Sequence, residues 1–332
     1  MLLIGPEILQ SEGESLHKRL QDALKKRNQQ DIAYFYERDG FYLFSSPESK
    51  VRVAREVKRF YKRATPDEAI FKQIAQIPFS LIVSVNPDTF LSEAFYRYGI
   101  KHRFHYFQHN HRSNENEGID KPSIKMPLIY NIFGSKDQDD SLILDYDDMY
   151  KMLESALGSS SLPPKFLRSF RNARTYIFLG FRFDVWYSQF LLKYLSGNAA
   201  KDQMIAVKSD LNNVDTQGFI VQQFKVEFMG KDDDFWGELF RQCDDRDMLR
   251  KIVEETTPEA VKIHKRVANG ELHEALEILQ EGFRGKSEAN EIILLQSQWN
   301  RLEDEKEKMD SRDYNPQRNR LIDSILELTK DL

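Results

Sequence analysis

The chain has 332 residues, 40% hydrophobic and 30% charged, which suffices for a large core and a second, smaller domain in a soluble protein. A net charge of −5 argues against direct nucleic-acid binding, and the single cysteine, Cys243, excludes a disulfide framework and a four-thiolate zinc site. A reducing cytoplasm is the expected setting, and no apolar run, including Met1–Leu9, is long enough for a membrane span.

Leu2–Gly5 reads as a short buried strand. Leu16, Leu20, Ala23 and Leu24 share one face of a helix expected from about Glu14 to Arg27. Phe41–Phe44 reads as a strand. Ser46-Pro47 opens the next helix, and Thr65-Pro66-x-Glu68, a capping box with proline at the first helical position, opens another. The basic run Lys58–Arg63 reads as a solvated helix face. Residues 79–95, FSLIVSVNPDTFLSEAF, are an apolar strand, an Asn86-Pro87-Asp88 turn and an amphipathic helix. Such a strand-to-helix turn is where open α/β sheets place their ligands.

Further strands are expected at His102–Phe107, Leu128–Ile132, Ser141–Leu144, Thr175–Leu179, Met204–Val207 and Val226–Met229. Helices are expected at about Tyr146–Leu157, Pro164–Arg171, Trp186–Leu195, Thr216–Gln223 and Asp234–Gln242. This alternation predicts an α/β, Rossmann-like, mostly parallel sheet covered by helices. From Asp244 onward strand signals stop. Thr257-Pro258 starts a helix, Gly270 breaks it, and the stripes Leu272–Phe283, Ile292–Leu302 and Leu321–Leu328 follow, the last opened by Asn315-Pro316. The expected organisation is an α/β domain over 1–245, a linker over 246–257 and an all-α helical bundle over 258–332.

Two readings of Asn86 stand side by side. Asparagine before proline is a good helix N-cap, and this chain repeats the device at four other Ser/Thr/Asn-Pro steps. The other reading is catalytic. His102, His105, His109 and His111 also cluster; on a strand the last three share a face. They suit either a polar strand edge or a zinc site. No carboxylate-rich cluster has metal spacing, and no metal is expected.

Three more segments add to the Asn86 turn. Pro127–Ser135, PLIYNIFGS, followed by Leu142-Ile143-Leu144 and Asp145-Tyr146, resembles the strand-His-Gly-Ser block of the sirtuin-like NAD-cleaving family. Tyr176–Trp186, YIFLGFRFDVW, resembles that family's late strand and Gly-x-x-x-Asp turn. Leu3–Leu9, LIGPEIL, stands where the family has its glycine-rich dinucleotide loop. The four blocks occur in the family's order over about residues 1–243. With one cysteine, the resemblance is to the zinc-free NAD-hydrolase branch of bacterial defence systems, and no zinc is implied.

The resemblance implies a site for NAD or an ADP-ribose-type nucleotide. It puts Asn86 and Asp88 in the catalytic turn, and Gly5, Glu7, Gly134, Ser135, Gly180, Arg182 and Asp184 around the nucleotide. Arg182 suits a phosphate contact or a surface ion pair. It also puts Phe133 where the family has its histidine base. A phenyl ring accepts no proton, and loss of a general base costs about two to four orders of magnitude in rate. His105 is the candidate substitute. Pro6 lacks an N–H and Glu7 brings a carboxylate to an anion site.

Residues 267–279, VANGELHEALEIL, with Asn290–Leu302 and the final helix, resemble effector-associated helical modules of bacterial conflict systems. That resemblance implies recruitment of a protein carrying a matching module, or self-association; a plain stabilising bundle is the alternative. Together these observations predict a degenerate, catalytically weak or inactive sirtuin-like adaptor, regulator or nucleotide sensor in an antiphage complex. The alternatives are an active NADase using Asn86 with His105, and a scaffold without ligand.

Overall fold

The computed structural model describes residues 1–11, 13–108, 121–157, 162–196, 203–207, 214–229, 235–252, 258–268, 270–306, 309, 311–329 and 332. Strand β1 (Leu2–Ile4) leads through a 3-10 turn at Pro6–Ile8 and a small hairpin, β2 (Gln10–Ser11) with β3 (Glu14–Ser15), into α1 (Leu16–Arg27). The helix starts later than its apolar spacing suggests because Ser15 is extended and its hydroxyl accepts from the Lys18 N–H. β4 (Ile32–Tyr36) and β5 (Phe41–Phe44) form a hairpin outside the main sheet. β4 escapes sequence reading because its side chains are half-buried or exposed on both faces, so no alternation marks it.

α2 (Pro47–Arg63) is capped by Ser46 as expected. α3 (Glu68–Gln76) is capped by Asp67 and not by Thr65. The Asp67 N–H is bonded to the Gln10 carbonyl at 2.8 Å, which holds Asp67 outside the helix. Then come β6 (Leu81–Ser84), α4 (Phe90–Arg97), β7 (Arg103–Tyr106) and β8 (Leu128–Asn131). Ser141–Leu144 is not a strand. It runs from a 3-10 turn (Asp139–Ser141) into a segment whose Leu144 carbonyl accepts from the Tyr42 N–H and whose Leu144 N–H donates to Asp148, leaving no ladder. α5 (Tyr146–Leu157), α6 (Pro164–Arg171), β9 (Thr175–Leu179), α7 (Trp186–Ser196), β10 (Gln203–Val207), α8 (Val214–Phe224), β11 (Val226–Met229) and α9 (Phe235–Asp245) complete the domain.

The main sheet is wholly parallel, in the order β11-β10-β9-β1-β6-β8-β7. Side chains of β1 alternate between its two faces. Leu2 and Ile4 join the core under α1–α4, and Leu3 joins the core under α5–α8. Burial on both faces explains why the strands read as continuous apolar runs.

α10 (Pro258–Ala268), α11 (Leu272–Gly282), α12 (Ala289–Glu305) and α13 (Ser311–Thr329) build a bundle with its own core. α13 begins ahead of Asn315-Pro316, so Pro316 lies inside it. The missing N–H leaves one carbonyl without its helical donor. The buried stripe Leu321, Ile322, Ile325 and Leu328 sustains the helix nonetheless. The bundle sits on the α/β domain: α10 lies along α4, Tyr96 of α4 packs on the bundle core, and Lys62 pairs with Glu271 at 2.7 Å.

Past α9, on the α/β side of the chain that leads to the bundle, Arg250 spreads its guanidinium over four carbonyls, those of Ala75, Ile77, Phe79 and Ile124. Its N–H also donates to the Gln76 carbonyl. Burial pulls its pKa down to about 10, which leaves it charged at neutral pH. Arg250→Ala is expected to lower stability by roughly 2–4 kcal/mol in urea unfolding. Arg250→Lys should recover little, since one ammonium cannot span a fan of carbonyls.

Candidate functional site

Strands β9, β1, β6 and β8 end together. Ile4 is in register with Leu179 on one side and Ser84 on the other, and Ser84 with Asn131. Their exits therefore bring Gly5, Asn86, Gly180 and Phe133 to one edge, the carboxyl edge where such sheets bind ligands.

Asn86 is 4% exposed. Its N–H donates to Ser84 Oγ at 3.0 Å, and its carboxamide Nδ2 donates to the Gly5 carbonyl at 3.1 Å. It does not cap a helix. α4 starts at Phe90, whose N–H is taken by the Asp88 carboxylate at 3.0 Å. The turn is held from the far side by β8: Asn131 Nδ2 donates to the Asp88 carbonyl, and the Lys136 N–H donates to the Pro87 carbonyl, both at 2.7 Å. Asp88 is buried, and desolvation pushes its carboxyl up to about 6 against the pull of the Phe90 N–H and the nearby Lys136 ammonium.

Phe133 packs edge-on against Tyr187, with ring centroids 5.7 Å apart. Gly134 follows at φ +88°, and a Cβ there would stand 2.0 Å from the Ser141 carbonyl oxygen, so only glycine fits. The Ser135 N–H donates to Ser141 Oγ, and Ser135 Oγ accepts from the Asp137 N–H. Gly134 and Ser135 thus serve their own loop.

The β1 exit is closed. The Gly5 N–H donates to the Leu179 carbonyl at 2.9 Å and the Glu7 N–H to the Gly180 carbonyl at 3.1 Å; Pro6 has none. Arg182 forks onto Asp184 through Nε and Nη2, and Nη2 also donates to the Arg38 carbonyl. His105 lies half-buried on edge strand β7 opposite Tyr130 and does not line the cavity described next. His109 and His111 fall outside the described residues. His102 precedes the strand, buried between Ser92 Oγ and the Ile100 carbonyl, with its pKa pulled down to about 4 by desolvation. Among the described residues no group of histidine, cysteine and carboxylate side chains could hold a metal ion.

A cavity of about 110 Å³ opens at this edge, lined by Asn86, Phe133, His17, Gln21, Arg182 and Tyr187 among others. His17 was not a sequence candidate. It sits in the first turn of α1, 2.8 Å from Gln21 four residues on, and desolvation with the Arg182 charge pushes its pKa down to about 4. The signal was available: the helix after the first strand of a Rossmann-like sheet starts at the ligand edge. The β4–β5 turn roofs the cavity. Asp39 accepts from Tyr146 Oη on its carboxylate and from Tyr187 Oη on its carbonyl, and Gly40 takes φ +77°.

A wholly parallel sheet with a polar turn at its carboxyl edge defines a Rossmann-type domain, here carrying a helical bundle. Residues 80–228 match the SIR2-like domain family model, and residues 258–332 match that of Effector-associated domain 11. The chain therefore carries a SIR2-like domain followed by an effector-associated domain. No curated protein matches it. The SIR2-like match begins after the Gly5 loop, whose likeness rests on its place in the sheet.

SIR2-like folds are associated with NAD, but this edge does not fit a dinucleotide laid on the β1 loop. The Gly5 and Glu7 N–H groups that would meet a pyrophosphate are bonded to β9 and its exit, and the cavity is well below the roughly 300–1,000 Å³ of small-molecule sites.

The Asp88 carboxyl gives a pH test. Its folded pKa lies above the ordinary value, so the stability it contributes is full below about pH 4 and is lost as pH rises through about 6. Asp88→Asn keeps an acceptor for the Phe90 N–H and removes the charge. Its stability relative to the parent should rise between about pH 4 and 7, by on the order of 1–3 kcal/mol, and level off above. A stability difference that stays flat across that range in thermal unfolding refutes the assignment.

Proposed function

We propose that this chain is an adaptor or regulator in a bacterial antiphage defence assembly. Its SIR2-like domain keeps the fold without NAD cleavage, and its effector-associated domain makes the recruiting contact. The observation that carries this reading is the pair at the carboxyl edge. Phe133, which the family resemblance aligns with the base, has a ring that accepts no proton, and the Asn86 carboxamide Nδ2 donates to the Gly5 carbonyl. Closure of the β1 loop agrees with it.

An NAD-hydrolysing reading is favoured by one feature, the neutral imidazole of His17 in the cavity with Asn86. An etheno-NAD assay at high protein concentration separates the two. No turnover above a protein-free blank is expected. Turnover abolished by both Asn86→Ala and His17→Ala would overturn the adaptor reading.

For recruitment we assign the exposed pair Ile293 and Leu294 on α12, 49% and 56% exposed, beside the buried Ile292 and Leu295. The occupant is a second effector-associated domain, on another copy or on a partner. An Ile293→Glu, Leu294→Glu double variant should keep its melting temperature, since both side chains face water, and lose association in light scattering and co-purification. Unchanged association would dismiss this face as the contact.

A further inference from the structure

The opposite end of the sheet carries a second concavity, unrelated to the Asn86 turn. It lies below the amino ends of β1, β6 and β9 and encloses about 700 Å³. Its charged lining among the described residues is all basic: Lys121, Lys165, Arg168 and Arg174, with no carboxylate. In a chain where acidic side chains outnumber basic ones 53 to 48, this is a local inversion of charge.

Three separate segments bring these cations together. Lys165 and Arg168 share the solvent face of α6 with Ser169 and Asn172, at helical spacing, while Phe166, Leu167 and Phe170 anchor the other face in the core. Lys121 comes from the segment before β8, and Arg174 from the turn into β9. Lys121, Lys165 and Arg168 form no ion pair with any described residue. Gathering like charges around a concavity with no carboxylate among its described lining residues raises the local potential and favours a multiply charged anion. Guanidinium and ammonium groups are the usual partners of phosphate oxygens, and the Asn172 carboxamide adds a neutral donor, while the Ser169 hydroxyl donates to the Lys165 carbonyl at 2.8 Å.

We propose that this groove binds a small, multiply charged phosphate ester of nucleotide size. Its volume falls within the roughly 300–1,000 Å³ range of small-molecule sites. A single-stranded nucleic acid is disfavoured because none of the described lining residues is an aromatic that could stack a base, and the net charge of −5 repels a polyanion. The proposal rests on these residues alone and is independent of the reading of the Asn86 edge.

Isothermal titration of the full chain with ATP, inorganic triphosphate and a short single-stranded DNA tests it. ATP and triphosphate should bind saturably and weaken several-fold as ionic strength rises from about 0.05 M to 0.25 M. Arg168→Glu should weaken both by about tenfold or more, the loss of a charge-assisted contact. Arg301→Glu, the same charge change on the 78%-exposed face of α12, should leave binding unaltered. Lys165→Glu repeats the test should Arg168→Glu fail to fold. Absence of saturable binding, binding insensitive to the groove variants, equal weakening by Arg301→Glu, or binding of the DNA alone each overturns the proposal.

Discussion

The closed carboxyl edge depends on one backbone contact. At Gly5 and Gly180 the chain leaving β1 lies directly on the chain leaving β9: a Cβ on Gly5 would stand 2.0 Å from the Gly180 oxygen. Gly180 meets the contact with φ +63°, a conformation glycine adopts without strain. Two hydrogen bonds seal it, and these consume the amides that a phosphate-binding loop leaves open. Gly5 thus does the reverse of what a glycine does in a dinucleotide loop. It lets backbone meet backbone, where a dinucleotide loop lets backbone meet a pyrophosphate.

That closure organises its neighbours. With the Gly5 carbonyl fixed, the Asn86 carboxamide becomes a strut between two strand exits. With Gly180 fixed, Arg182 forks onto Asp184 and reaches Arg38, drawing the β4–β5 turn over the cavity. Tyr146 and Tyr187 hold the same turn through Asp39. On the other side, the Asn-Pro-Asp turn is tied to the β8 exit through Asn131 and Lys136. Keeping Asp88 in this place costs stability at neutral pH, as its raised pKa records.

Much of the architecture was legible because the sheet is parallel and buried. Runs such as Leu81–Ser84 and Thr175–Leu179 read as strands from apolar content alone, and the bundle read from stripes such as Leu272 to Leu279. Failures came where a distant partner decides a local choice. Thr65 looks like a cap, but the Gln10 carbonyl claims the next aspartate's N–H and moves the helix start to Glu68. Ser141–Leu144 looks like a strand, but Tyr42 and Asp148 take its polar groups. Asn86 before Pro87 looks like a cap, but Asp88 reaches the first free N–H of α4 and Asn86 is held by Gly5. At the site, the family resemblance set Phe133 against the base position from sequence alone. His17 was legible in principle from its place in the first helix after β1, which starts at the ligand edge, but its company with Asn86, Phe133 and Arg182 comes only from the assembled sheet.

The placement of the bundle bears on the proposed recruitment. Its α10 covers α4, the helix that continues the Asn86 turn, with Tyr96 inserted against the bundle core and His264 buried. Ion pairs at the rim, Lys62 with Glu271 and Arg103 with Asp323, add orientation more than strength, because partly exposed pairs contribute at most about 1 kcal/mol. A partner that needed the α10 face would have to strip this contact and expose apolar side chains on both domains, losing roughly 25 cal/mol for each Å² uncovered. A partner that meets α12 uncovers nothing, because Ile293 and Leu294 already face water. Recruitment through α12, as proposed, would therefore leave the turn at Asn86 undisturbed.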